Sequence, residues 1–201
     1  MIDKRFIEKL FVVFSLGLFL QCQSQELQET MIPKINNKFE IINTEEGKHI
    51  IINGNKTTTF VSANIGSSCT EYYKDSYFMI IKNYYPSKNI KNKGIAFNEG
   101  SSIGTWYYFD ESGKLTKEEN TDEGYSFTPE KVVKYCEKNK IELPKGYHES
   151  GFYTRVRKDV LNGKKVWVIE YLIPDGDIQK VVLDGQSGAE LEKKVVPFIS
   201  S

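Results

Sequence analysis

Apolar residues along this chain fall into one continuous block and a series of short runs. The block is Leu10 to Leu20 (LFVVFSLGLFL), about 11 residues, too few for the roughly 20 that span a bilayer. Lys4, Arg5 and Lys9 precede it, and the short polar stretch Gln21-Cys22-Gln23-Ser24 follows. A cationic start, a short apolar core and a small-residue cleavage region predict a secretory signal over residues 1–24. Two fates of Cys22 stay open. Cleavage after Ser24 releases a periplasmic or secreted protein. Cleavage before Cys22 leaves a lipidated N-terminus, which is the only route by which a membrane becomes a partner.

After the block the pattern changes. Residues 25–38 (QELQETMIPKINNK) are polar and without period, and read as a linker or N-terminal arm. Residues 39–125 carry short β-like runs separated by turn residues. FEIIN and KHIIINGNKTTTFV come first, with Asn53-Gly54 as a hairpin signal. Tyr77 to Ile81 and Trp106 to Phe109 are further strands of a meander, and Asp110-Glu111-Ser112-Gly113 reverses the chain. Strand alternation places Trp106 and Tyr108 on one face and Tyr107 and Phe109 on the other.

Residues 126–201 open differently. Thr128 as N-cap, Pro129 at the first helical position and Glu130 in the first turn predict a helix, with Val132, Val133 and Cys136 as its apolar stripe. It stops before Pro144-Lys145-Gly146. Three strands follow, over Phe152–Leu161, Val166–Ile173 and Ile178–Asp184, with turns at Asn162-Gly163 and Pro174-Asp175-Gly176-Asp177. The expected fold class is α+β. It would be a mostly antiparallel β-sheet, built as a meander of hairpin repeats, followed by a helix packed on a three- to four-stranded antiparallel sheet.

Within the meander a faint repeat appears, with Tyr84-Tyr85 recurring as Tyr108-Phe109. The stretch Gly104-Thr105-Trp106-Tyr107-Tyr108-Phe109-Asp110-Glu111-Ser112-Gly113-Lys114-Leu115 resembles one unit of the MORN-variant β-hairpin repeats of bacterial proteins. It departs from their pattern at Phe109, usually Tyr. The likeness extends over residues 84–118, although the unit from Tyr84 to Lys91 lacks the Gly-x-Trp. It implies a repeat-type sheet and, for some family members, an immunity or antitoxin role. The C-terminal α-β-β-β order, with Trp167 to Tyr171 and the run Val181 to Leu191 ending in Asp-Gly-Gln-Ser-Gly, resembles PepSY-type modules. Some of these are implicated in holding or inhibiting peptidases.

Charge and chemistry narrow the functions. Lys plus Arg and Asp plus Glu both number 27, so the chain lacks the cationic excess that nucleic acid demands. Aromatic content is high, with twelve Tyr and twelve Phe, which favours strands. Cys69 and Cys136 either pair across a loop of about 67 residues or stay as separate buried thiols. Gly100-Ser101-Ser102-Ile103-Gly104 spells a nucleophile elbow. That motif needs a helix after the serine, however, and Trp-Tyr-Tyr-Phe is a strand. His148 is the one downstream histidine able to serve as its base. His49 and His148 lack companions at metal spacing, Asp175 and Asp177 read as turn residues, and Glu118, Glu119, Asp122 and Glu123 read as a solvated run in a polar loop. No cofactor fingerprint is present. Tyr84, Tyr85, Trp106, Tyr107 and Tyr108 are the binding candidates, since aromatics anchor partners. The expectation is an exported, non-enzymatic binding protein of the bacterial cell envelope, immunity- or antitoxin-like, with a protein or peptide partner. The alternatives are a PepSY-like peptidase-interacting module and an envelope hydrolase.

Overall fold

Short runs of alternating or β-branched residues, punctuated by Gly, Asn and Asp, build strands and tight turns. In the computed structural model, which describes residues 32–43, 47–149 and 151–198, they do so almost everywhere. The signal segment, Cys22 and residues 25–31 of the arm lie outside the described residues. Seven strands run in sequence order as one antiparallel meander: β1 (Gly47–Asn53), β2 (Lys56–Ala63), β3 (Gly66–Tyr73), β4 (Phe78–Tyr84), β5 (Ile90–Phe97), β6 (Ser102–Phe109) and β7 (Leu115–Asn120). The helix α1 (Pro129–Lys138) follows. A second antiparallel meander then contains β8 (Arg155–Leu161), β9 (Lys164–Leu172), β10 (Ile178–Asp184) and β11 (Glu190–Val196).

This overturns the α+β expectation. The protein is mostly antiparallel β, in sheets of seven and four strands, and its described residues hold a single helix of ten residues. The helix itself forms where its start signals lie, with Val132, Val133 and Cys136 buried. Thr128 holds the extended N-cap backbone without a side-chain capping bond. The helix touches both sheets: Tyr77 donates to Glu137 at 3.1 Å and Tyr135 to Glu190 at 2.7 Å. It is a plug between β elements, not a layer. The imbalance arises because β3 and β5 (GSSCTEYY, IKNKGIAF) are too polar to read as strands, and β11 (ELEKKVV) is largely charged.

One face of the large sheet explains that polarity. Directly paired residues share a face, so Phe60, Cys69, Lys82, Lys93 and Tyr107 form one row across β2 to β6. Residues 36–42 lie along this row. Ile42 donates its N–H to Lys88 C=O at 2.9 Å, and Ile90 donates to Glu40 C=O at 2.9 Å. Ile42 then packs with Cys69, Tyr84, Ile90 and Phe109. The fully buried Lys93 ammonium donates to Lys38 C=O at 2.6 Å and to Glu40 at 2.5 Å. Lys82 bridges Glu40 at 2.8 Å and Glu71 at 3.2 Å, and Lys56 reaches Glu71 at 3.3 Å. Burial alone would raise both carboxyls, but Lys82 outweighs it at each, helped by Lys93 at Glu40 and Lys56 at Glu71. Both stay below their ordinary value.

Further along the same face the core is apolar. Phe78 and Phe97 meet with ring centroids 4.8 Å apart, and Phe97 meets Trp167 of β9 edge-on at 6.0 Å. The sheets join where the β5–β6 turn pairs with β8: Ser101 N–H donates to Val156 C=O at 2.9 Å and Val156 N–H to Glu99 C=O at 3.0 Å. Gly100 is required there, because a Cβ would sit 1.9 Å from the Val156 oxygen. Lys158 staples the junction with bonds to Ser102 C=O, Thr121 C=O and Asp122, under the rings of Tyr125 and Trp167. Burial pulls its ammonium below the ordinary value despite the Asp122 carboxylate.

Candidate functional site

The aromatic candidates divide between the two faces of the large sheet. Tyr84 is buried at 6% exposure in the cluster with Cys69 and Phe109, and Tyr107 packs against that cluster. Trp106 is on the opposite face. Its indole lies over Gly94, where a Cβ would come within 2.1 Å of the ring, and its N–H donates to Ile95 C=O at 3.0 Å. Tyr108 shares that face and donates to Glu119 at 2.7 Å, while the Tyr85 hydroxyl donates to Phe109 C=O at 2.9 Å. These rings do not converge on one surface. The hydroxyls of Tyr85 and Tyr108 and the Trp106 N–H are spent on bonds within the sheet.

The other sequence candidates also take structural places. Cys69 and Cys136 are separate, buried and free. Burial, chiefly, pushes their thiols up to about 11 and about 12, so neither is a nucleophile near neutral pH. Glu118 and Glu119 stand on strand β7 and not in a loop. Asp122 is no solvated acid, since it accepts from Gly104 N–H at 2.8 Å and pairs with Lys158. Asp175 lies within the β9–β10 turn and Asp177 at its end, where Ile173 N–H donates to Asp177 C=O at 3.0 Å. Among the described residues no group of three or more His, Cys, Asp or Glu is placed to hold a metal, and no helix is long and apolar enough to cross a membrane. Ser101 closes the β5–β6 turn and Ser102 opens β6, with the Ser101 hydroxyl accepting from Lys158 N–H at 2.9 Å. Ser102→Ala is therefore expected to leave the melting temperature within the range of ordinary surface changes, about 0.5 kcal/mol. A fluorophosphonate probe should leave Ser102 unlabelled, and labelling seen by mass spectrometry would restore the hydrolase reading.

The built cavity lies elsewhere. A pocket of about 880 Å³ opens between the segment leaving α1 (residues 140–148), residues 152–154 and the end of β9 with its turn (171–174). Local sequence explains its walls. The chain turns off the helix at Lys140 with φ 56°, and Ile141 N–H returns to Cys136 C=O at 2.9 Å. Ile141 and Leu143 are then buried, with Glu142 exposed between them, so the segment runs extended with alternate side chains as anchors. Asn98 fixes its far end, donating to Pro144 C=O at 3.1 Å and Ser76 C=O at 2.8 Å. Gly146 N–H adds a bond to Ser76 C=O at 3.1 Å.

The lining includes the rings of Tyr77, Phe152, Tyr153 and Tyr171, with Pro144 and Pro174. Tyr153 stacks on His148 at 4.6 Å, Phe152 is braced edge-on by Phe198 at 5.4 Å, and the Lys145 ammonium sits 4.6 Å above the Tyr77 ring. Exposed Lys140, Lys145 and Glu142 mark the rim. The Nε2 of His148 is buried without a hydrogen-bond partner. A buried polar atom of that kind calls for one. Apolar walls with a few converging polar groups are the ordinary make-up of a ligand pocket of this size. Of these residues the sequence marks only His148 as a chemical candidate, as the base for the Gly-x-Ser-x-Gly string. The sequence places Phe152 and Tyr153 in the strand expected over Phe152–Leu161, whereas β8 starts only at Arg155 and leaves both rings free to line the pocket.

Compared with protein-family models, curated proteins and solved structures, the chain matches none significantly.

Proposed function

We propose that the protein acts by non-covalent binding, taking an extended segment of a protein or peptide partner into the pocket beside α1, and that it does so in the bacterial cell envelope. The pocket carries this reading. Its rings are braced by neighbours, so little side-chain freedom is lost on binding. The prolines and aromatics suit an extended chain bearing aromatic or proline side chains. Lys140 and Lys145 against Glu142 leave a rim that favours an acidic flank. The unpartnered His148 nitrogen offers one bond that such a chain could complete. An immunity- or antitoxin-like role is one specific form of this activity and rests on the repeat resemblance. Binding, not turnover, is favoured because the serine motif and the acidic run are absorbed into the structure.

A peptide library displayed on phage tests the proposal. Selection on the wild-type protein should enrich sequences with aromatic or proline residues beside acids. Tyr171→Ala and Tyr153→Ala, checked by thermal melts to remain folded, should each weaken the selected peptide by about 2 kcal/mol or more, roughly thirtyfold in Kd. No enrichment, or enrichment indifferent to both substitutions, sinks it.

A further inference from the structure

Among the described residues the two sheets leave four edge strands: β1, β7, β8 and β11. Open edges offer unpaired backbone groups to other chains, and proteins blunt them with charge. Three of these edges follow that rule. Strand β7 carries Lys117, Glu118 and Glu119. Strand β8 carries Arg155, Arg157, Lys158 and Asp159, and Gly100 bridges to Val156 near its start. Strand β11 carries Glu190, Glu192, Lys193 and Lys194. Strand β1 (GKHIIIN) does not. It has one lysine, no proline and an unbroken register against β2. Its apolar residues are open to solvent, with Ile50 at 45%, Ile51 at 55% and Ile52 at 74% exposure, and Val61 on β2 adds 49%.

The turn fixes which backbone groups are free. Asn53 faces Lys56 across Gly54-Asn55, and Gly54 has φ 60°. The residues flanking a two-residue hairpin loop exchange both backbone bonds, so Asn53, Ile51, His49 and Gly47 bond to β2. Lys48, Ile50 and Ile52 therefore point their N–H and C=O groups away from the sheet. In this seven-residue strand Ile50 is the central position.

We infer that β1 is a self-association edge, and that two copies of the chain pair β1 to β1 antiparallel about a two-fold axis at Ile50. That register places Ile50 against Ile50 of the second copy, and Lys48 against its Ile52, each pair exchanging two backbone bonds. The strand is self-complementary in charge, because the single Lys48 meets an isoleucine and never its own copy. Any register centred at Lys48 would instead set two lysines face to face. Ile50, Ile52 and Val61 share one face of the sheet, so pairing joins two exposed apolar strips into one that crosses the axis. The result is an isologous dimer with a continuous sheet.

Because the axis passes through residue 50, charge swaps there test the pairing directly. The full chain is followed by sedimentation velocity across micromolar concentrations. The wild type should run at dimer mass. Ile50→Lys and Ile50→Glu should each run as monomers with unchanged thermal melts, since the side chain is half-exposed. An equal mixture of the two should return to dimer mass. A monomeric wild type, a dimer that survives Ile50→Lys, or a mixture that stays monomeric would each overturn the assignment.

Discussion

Replacing Trp167 by alanine lowers the free energy of unfolding by about 3–5 kcal/mol, the range for truncating a buried aromatic. Trp167 has no exposed surface and lies at the contact between the two sheets, so the loss is not confined to β9. Its ring meets Phe97 of the large sheet at 6.0 Å and Tyr125 at 5.0 Å, and Lys158 lies 5.3 Å from it. Its N–H donates to Phe127 C=O at 2.8 Å, just before α1. Alanine leaves a cavity, an orphaned carbonyl and a lysine without one of its two rings. Urea melts should show the midpoint fall at unchanged slope. A loss below about 1 kcal/mol would mean that the sheets do not share a core.

Glu40→Gln should cost nearly as much, about 3 kcal/mol, although Glu40 is partly exposed. The cost lies with Lys93, which is fully buried and loses its countercharge. Lys38 C=O still accepts from it, which holds the figure to the lower end of that range. Lys93→Met removes the charge along with the need for a partner and should cost less. The double variant should then be less damaged than the sum of the two. The same network sets the acid limit. Glu40 and Glu71 titrate below their ordinary value of 4.5 in the folded protein, so their contribution is complete above that pH and is lost as pH falls through the folded values. Glu40→Gln should flatten the decline below about pH 4.5. Equal acid sensitivity in the variant would show that the pairing of Glu40 contributes nothing to it.

Both predictions turn on residues whose importance is unequally written in the chain. Trp167 stands in an apolar run that reads as a buried strand, and β9, β10, α1 and the Asn162-Gly163 turn all form where local pattern puts them. Those signals are local: β-branched runs, a proline at a helix start, a turn dipeptide. Glu40 sits in the FEIIN run, which reads as a short strand beside a polar arm but forms only an isolated bridge at Ile41. Its partners Lys82 and Lys93 look like solvated lysines until the strands align them. The hairpin signal at Asn53-Gly54 was right in kind and wrong by one position, the turn being Gly54-Asn55, because cross-strand pairing settles register.

By itself, then, the sequence determined the strand-rich character, the place of the helix, the turns and the absence of a helix behind the Gly-x-Ser-x-Gly string. Each depends on neighbours a few residues apart. The tertiary structure alone decided the fold class, since the polar strands β3 and β5 find partners only across the sheet: Glu71 of β3 lies between Lys56 and Lys82, and Lys93 of β5 meets Lys38 and Glu40. It alone sorted the aromatics, burying Tyr84 and Trp106 on opposite faces. It also assembled the pocket by bringing Tyr77 and the end of β9 against the neighbouring segments 140–148 and 152–154. Burial and convergence are properties of long-range pairing, and a linear pattern of residues carries no term for them.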